Sequence, residues 1–171
     1  MFKLRAILCC DNKFGIGKKN DLLFHLPLDM KFFRETTSGH TVAMGENTLI
    51  SFPNSKPLKN RTNIVLSGDT THNYEGVINV HTMEDFKKAI NESLQDGDVY
   101  IIGGASIYNQ MLPYYDEIYL TKVNEDGQAE VFFTNVDENS SFELVKTSET
   151  FKDNGHEIRF CTYLNHNKLP L

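Results

Sequence analysis

The chain contains no tryptophan, so no indole N–H is available to any site within it. It has no basic run longer than two residues, and its net charge is −6. That argues against nucleic acid as a partner, because a phosphate backbone is gripped by clustered lysine and arginine. Long apolar runs are missing as well. The stretch from Ala6 to Cys10 in "MFKLRAILCCDNK" is cut off at once by Asp11, too short for a membrane span or a signal peptide. Cysteine is scarce: Cys9 and Cys10 are adjacent and Cys161 lies far off. These make neither a disulfide framework nor a metal site, so no metal is expected and a reducing cytoplasm is the expected setting. The chain has no internal repeat, no low-complexity segment and no G-x-G-x-x-G fingerprint.

What is present suits one soluble domain over residues 1–171, with 40% apolar and 23% charged residues. "KLRAILCC" reads as a buried strand and "DNKFGIGKKND" as a glycine-bearing loop. A helix opening at Pro27 follows, then "TVAMG" as a strand and "ENTLISF" as a short helix. "TNIVLS" and "GVINV" read as strands, and "TMEDFKKAINESLQ" as an amphipathic helix capped by Thr82. "DVYII" is a strand running through Gly103-Gly104 into the helix "ASIYNQML". "EIYLTKV", "AEVFFTNV", "FELVKTSETF" and "IRFCTYLN" all look like strands. Strands alternating with helices predict an α/β domain with a mostly parallel central sheet, helices on both faces and a C-terminal antiparallel hairpin.

One residue stands out in the Pro27 helix, "PLDMKFFRETT". At about 100° per residue, Leu26, Met30, Phe32, Phe33 and Thr36 fall on the side of Asp29, while Lys31, Arg34 and Glu35 fall opposite. An acid in the middle of an apolar face must ion-pair, hydrogen-bond or hold its proton. It is either satisfied by a neighbouring group or the floor of a pocket that meets a polar ligand.

Two glycine junctions suggest the second. "DVYIIGGASIYNQ" and "TVAMGENTLI" each place glycine between a strand and a helix, where a ligand can approach free backbone N–H groups beyond the strand ends. A tight strand-to-helix turn would use the same residues. The combination is more specific: "GIG", "LLFHLPLDMKFF", "VAMGENT", "LKNRTNIVLS" and "VYIIGGASIY", in this order and spacing, resemble the dihydrofolate reductase family over nearly the whole chain.

The resemblance implies an NADPH-dependent oxidoreductase that binds dihydrofolate and antifolate inhibitors, and a monomer. Asp29 matches the family's single active-site carboxylate, which hydrogen-bonds the pterin and promotes protonation of its N5. Thr121, in "YLTKV", matches the threonine that bonds this carboxylate. Ile7 and Ile102 match positions whose carbonyls face the pterin, with Leu8 beside Ile7. Met30, Phe33, Phe52 and Leu58 would line the cleft, and Arg61 would clamp the substrate's α-carboxylate with its planar guanidinium. Cys9, Ile16, Gly17, Asn20 and Leu22 would belong to the strand end and loop that cover the nicotinamide, with Leu22 at the catalytic centre. Gly45, Glu46, Asn47, Thr48, Leu66, Ser67, Gly68, Gly103, Gly104, Ala105, Ser106, Ile107 and Tyr108 would hold the rest of the cofactor.

The chain also departs from the family. Leu22-Leu23-Phe24 stands where Leu-Pro-Trp is usual, so the indole that holds an active-site water is missing. "AEVFFTN" replaces G-D-T-x-F-P, and Val131 removes a hydroxyl. Glu46 occupies the position of a cation that grips the 2′-phosphate of NADPH; Asn47 and Gly68 do not replace that charge, which leaves NADH as an alternative cofactor. Two other readings compete: a riboflavin-precursor reductase on the same fold, against which Asp29 and Arg61 argue, and a non-catalytic nucleotide-binding or structural protein.

Overall fold

Alternation shapes the first strand. In Leu4–Cys10 (β1), Leu4, Ala6, Leu8 and Cys10 enter one core and Ile7 enters another, because successive side chains point to opposite faces. The computed structural model describes residues 1–171. After β1 come β2 (Gly15–Gly17), α1 (Pro27–Thr37), β3 (Thr41–Gly45), α2 (Glu46–Ser51), β4 (Thr62–Leu66) and β5 (Ile78–Val80). Then follow α3 (Met83–Ser93), β6 (Val99–Ile101), α4 (Ala105–Gln110), β7 (Glu117–Val123) and β8 (Val131–Phe132). The chain closes with β9 (Phe142–Thr147), β10 (Phe151–Asp153) and β11 (His156–Asn165).

The main sheet has nine strands in the order β10-β11-β7-β1-β6-β3-β4-β5, with β9 also paired to β11. From β7 to β5 all pairs are parallel, and β11 runs antiparallel to β7, β9 and β10. Phe86 and Ile90 of α3, with Ile107 and Tyr108 of α4, cover the Leu4 face. Leu49 of α2, with Phe32 and Phe33 of α1, covers the face of Ile7, Val42, Met44, Val65, Tyr100 and Ile102. This is the α/β architecture expected. Helix α3 begins where Thr82 predicts, its hydroxyl accepting from the Asp85 amide at 3.1 Å.

Three expectations need correction. Gly15–Gly17 is a strand rather than loop: it pairs with β8 in a separate two-stranded sheet. Of "AEVFFTNV" only Val131–Phe132 is strand. "FELVKTSETF" is two strands, β9 and β10, with Ser148–Thr150 between them outside any strand. The β10–β11 turn is Asn154-Gly155, with φ of 52° and 83°, the two-residue geometry that suits the twist of a hairpin. No helix is long and apolar enough to cross a membrane.

Candidate active site

The acid of α1 lies where that helix crosses the ends of β1 and β7. Pro27 opens α1 at its first position and brings Asp29 over the sheet. Asp29 Oδ1 accepts a hydrogen bond from the Thr121 hydroxyl at 2.6 Å. Thr121 sits on β7 in register with Cys9 of β1. Burial pushes the Asp29 carboxyl above its ordinary value, the Thr121 bond pulls it back, and the Asp153 carboxylate adds to the rise. Burial likewise pushes the Cys9 thiol up, so Cys9 is a neutral wall rather than a nucleophile. Cys9, Ile16, Leu22, Leu23, Phe24, Leu26, Asp29 and Met30 line a small pocket at the acid. Within α1 only Thr37 is fully buried: Phe32 and Phe33 are partly buried against the sheet, and Met30 reaches the pocket.

Farther along this cleft, Phe33, Phe52 and Leu58 pack against the cluster that holds Ile7 and Ile102. The Ile7 carbonyl accepts from the Tyr108 hydroxyl at 2.8 Å. Leu8 departs from its expected place. Its side chain enters the core under α3 and α4, since one step along a strand reverses the face. Arg61 lies beside α1: its Nε donates to the Thr37 hydroxyl at 2.9 Å, Nη1 to the Lys59 carbonyl at 2.7 Å and Nη2 to the Arg34 carbonyl at 3.4 Å. All these partners are neutral. The guanidinium is thus aimed and still has its charge to offer, with its carbon 6.0 Å from the centre of the Phe33 ring.

The two glycine junctions lie side by side. The Gly45 amide donates to the Gly103 carbonyl at 2.9 Å, and the Gly103-Gly104 peptide is cis. Gly103 has φ 134°, and a Cβ there would sit 2.9 Å from the Thr48 hydroxyl, so only glycine fits. Gly104, Ala105 and Ser106 open α4 opposite Thr48 of α2. At the end of β4, Ser67 is buried and its hydroxyl meets the Asp69 backbone; Gly68 has open space around it, and Asn47 is exposed.

Glu46 is held by the segment between β4 and β5. Its Oε2 accepts from the Tyr74 hydroxyl at 2.5 Å and lies 2.7 Å from His72 Nδ1. The Tyr74 bond, aided by His72, holds its carboxyl below the ordinary range. Tyr74 has no signal in the sequence that would have placed it here.

The covering segment is tied down by a buried acid. Asp11 Oδ1 accepts from the Lys13 and Gly15 amides at 2.9 and 2.7 Å, and Oδ2 from the Gly127 amide at 2.9 Å. Ile16 and Leu22 reach the pocket, whereas Asn20 stands in solvent. Phe24 packs against His156 with ring centres 5.0 Å apart and the rings tilted by 59°, and His156 lies 2.5 Å from Glu125. Asp153, which accepts from the Leu28 and Asp29 amides, is another residue beside the acid that sequence reasoning missed.

A doubly covered parallel sheet, with an acid and paired glycine turns at the carboxyl ends of its central strands, defines a class: the α/β enzymes that bind ligands at strand ends. Within that class, the chain belongs to the dihydrofolate reductase family, whose model, described as dihydrofolate reductase, matches residues 3–166. The dihydrofolate reductase of Bacillus subtilis (strain 168) is 34% identical over 154 residues, 89% of this chain and 88% of the relative. That of Staphylococcus aureus is 37% identical over 130 residues, 76% of this chain and 77% of the relative. A solved structure of dihydrofolate reductase from Enterococcus faecalis, complexed with NADP(H) and RAB-propyl, is similar at a TM-score of 0.83 and 31% identity. It covers 95% of this chain and 96% of its own.

Proposed function

We propose that this chain catalyses the NADPH-dependent reduction of dihydrofolate to tetrahydrofolate. The observation that carries the reading is the Asp29 carboxylate, held by Thr121 at 2.6 Å in an apolar cleft beside Ile7 and Phe33. The donor set fits a dinucleotide: the uncapped backbone at the start of α4, from Gly104 to Ser106, the Thr48 hydroxyl facing it, and Ser67 at the next strand end. When bound, NADPH supplies the hydride that passes to C6 of the pterin. Asp29 hydrogen-bonds the pterin's amino group and, with its carboxyl raised by burial, assists proton delivery to N5. Thr121 fixes the carboxylate's orientation. Cys9, Ile16, Leu22, Phe24 and Met30 exclude water from the reacting end. Phe33, Phe52 and Leu58 hold the rings of the substrate or of an antifolate, and Arg61 clamps the distal carboxylate. On this reading the chain acts as a cytoplasmic monomer.

The test follows NADPH absorbance with purified protein. Oxidation that begins only when dihydrofolate is added, and that methotrexate-class inhibitors stop, is the expected result. No dihydrofolate-dependent oxidation overturns the reading.

A further inference from the structure

Helix α1 has no cap of its own. Leu26, at the capping position, offers no side-chain acceptor, and Pro27 has no N–H. The first free amides are therefore those of Leu28 and Asp29. Both donate to one distant carboxylate, Leu28 N to Asp153 Oδ1 and Asp29 N to Asp153 Oδ2, each at 3.1 Å. Asp153 ends β10 and is only 5% exposed. Next to it, Asn154 Nδ2 donates to the His25 carbonyl at 2.9 Å, fastening the same hairpin turn just ahead of the helix.

We propose that Asp153 is a positioning residue for Asp29: its carboxylate caps α1 from the β10–β11 hairpin and sets both the seat and the electrostatic surroundings of the catalytic acid. The proposal rests on the role given to Asp29 above. A serine or threonine at the start of the helix would satisfy these amides without burying a charge. Burying a carboxylate is costly without strong hydrogen bonds, and here the helix amides and the positive end of the helix dipole supply them. The consequence that a neutral local cap could not supply is a fixed anion behind Asp29. Asp29 faces the Thr121 hydroxyl from β7, the Cys9 thiol from β1, the Tyr108 hydroxyl from α4 and Asp153 from β10. None of these is a cation. Asp153 faces Asp29 and Cys9, and its cross-strand partner His156 is engaged by Glu125. The helix amides offset part of this charge; what remains of it acts on Asp29 as a like charge and favours the protonated acid.

Asp153→Asn keeps an acceptor for the helix and removes the charge. Single-turnover hydride transfer across a pH series should then show its high-pH decline moved down by roughly 0.5–1 pH unit. The rate near neutrality should fall about three- to tenfold. Asp153→Glu, which restores the charge, should bring the decline back toward the parent position. A purely structural cap would lower Tm and leave that midpoint where it was. An unmoved midpoint in folded Asp153→Asn overturns the proposal; if that variant does not fold, an unmoved midpoint in Asp153→Glu against Asp153→Ser overturns it. Failure of Asp29→Asn to slow the reaction would instead overturn the assignment of Asp29, so the two failures are distinguishable.

Discussion

At the scale of single residues, charge and its neighbours decide what each substitution does. Asp29→Asn can still accept from Thr121 but cannot assist a proton, so hydride transfer at neutral pH should fall by about 10²–10⁴-fold and recover in part as pH falls. Single-turnover NADPH oxidation measures it, and a rate within about threefold of the parent would remove Asp29 from the mechanism. Because Asp29 holds its proton more tightly folded than unfolded, its ionisation opposes folding as pH rises through its folded value. The same variant should therefore have a higher Tm near neutrality and no advantage in acid. Arg61 is held by neutral partners, and on the proposed reading it clamps a carboxylate remote from the reacting atoms, an interaction equal in ground and transition states. Arg61→Leu should raise KM for dihydrofolate with kcat nearly unchanged; a large loss of kcat at constant KM contradicts the clamp. On the family resemblance Glu46 stands where a cation would meet a 2′-phosphate, and Tyr74 and His72 hold its carboxylate in place. Glu46→Arg should tighten NADPH about tenfold, near 1.4 kcal/mol, and leave NADH little changed. Dissociation constants at low and moderate salt decide this, and no change in either would place Glu46 away from the phosphate.

At the scale of elements, the long periodic segments were legible and the short ones were not. β1, α1 and α3 carry enough alternation, helical spacing or capping chemistry to be read directly. β2 and β8 have too few residues for any period to register, and what makes them strands is each other: a Cβ on Gly15 would lie 2.4 Å from that of Ala129. The Leu8 side chain could have been placed correctly by following the alternation of β1 strictly. Asp29 was visible as an acid on an apolar face, but Arg61 reads as an ordinary loop charge until its partners are seen. Asp153 was invisible because a cap supplied from 124 residues away leaves no local pattern. Asp11 joins the elements that sequence misread. Asp11→Ala strips the acceptor from the buried Gly15 amide, a loss of about 1–3 kcal/mol when left unpaired, and from the part-buried Lys13 and Gly127 amides. It should lower Tm and raise the KM for NADPH more than that for dihydrofolate, as thermal melts and initial rates would show; an unchanged Tm would mean that water replaces the carboxylate.

At the scale of the whole molecule, stability in acid depends on carboxylates that tie the sheet together. Arg5 of β1 donates to Asp98, just before β6, and to Glu117 of β7, both at 2.8 Å. Although burial opposes it, the Lys3 amide and Arg5 hold Asp98 below the ordinary range, and Lys122 with Tyr163 does the same for Asp137. Such groups stabilise the fold above the unfolded value near about 4 and lose that contribution as pH falls through the lower folded value. Melting temperature should thus drop below about pH 4, and less steeply in Asp98→Asn or Asp137→Asn. A parent curve that both variants reproduce would assign acid unfolding to other groups. Arg5 also marks a feature with a consequence in time. β1 lies between β6 and β7, with Leu4 opposite Val99 and Ile7 opposite Tyr119, so during synthesis this strand acquires its neighbours late. At about 5–20 residues per second, roughly 5–20 s pass between them. Through that interval Ala6 to Cys10 has neither edge occupied, and the order in which the polypeptide is made runs against the order in which its centre can close.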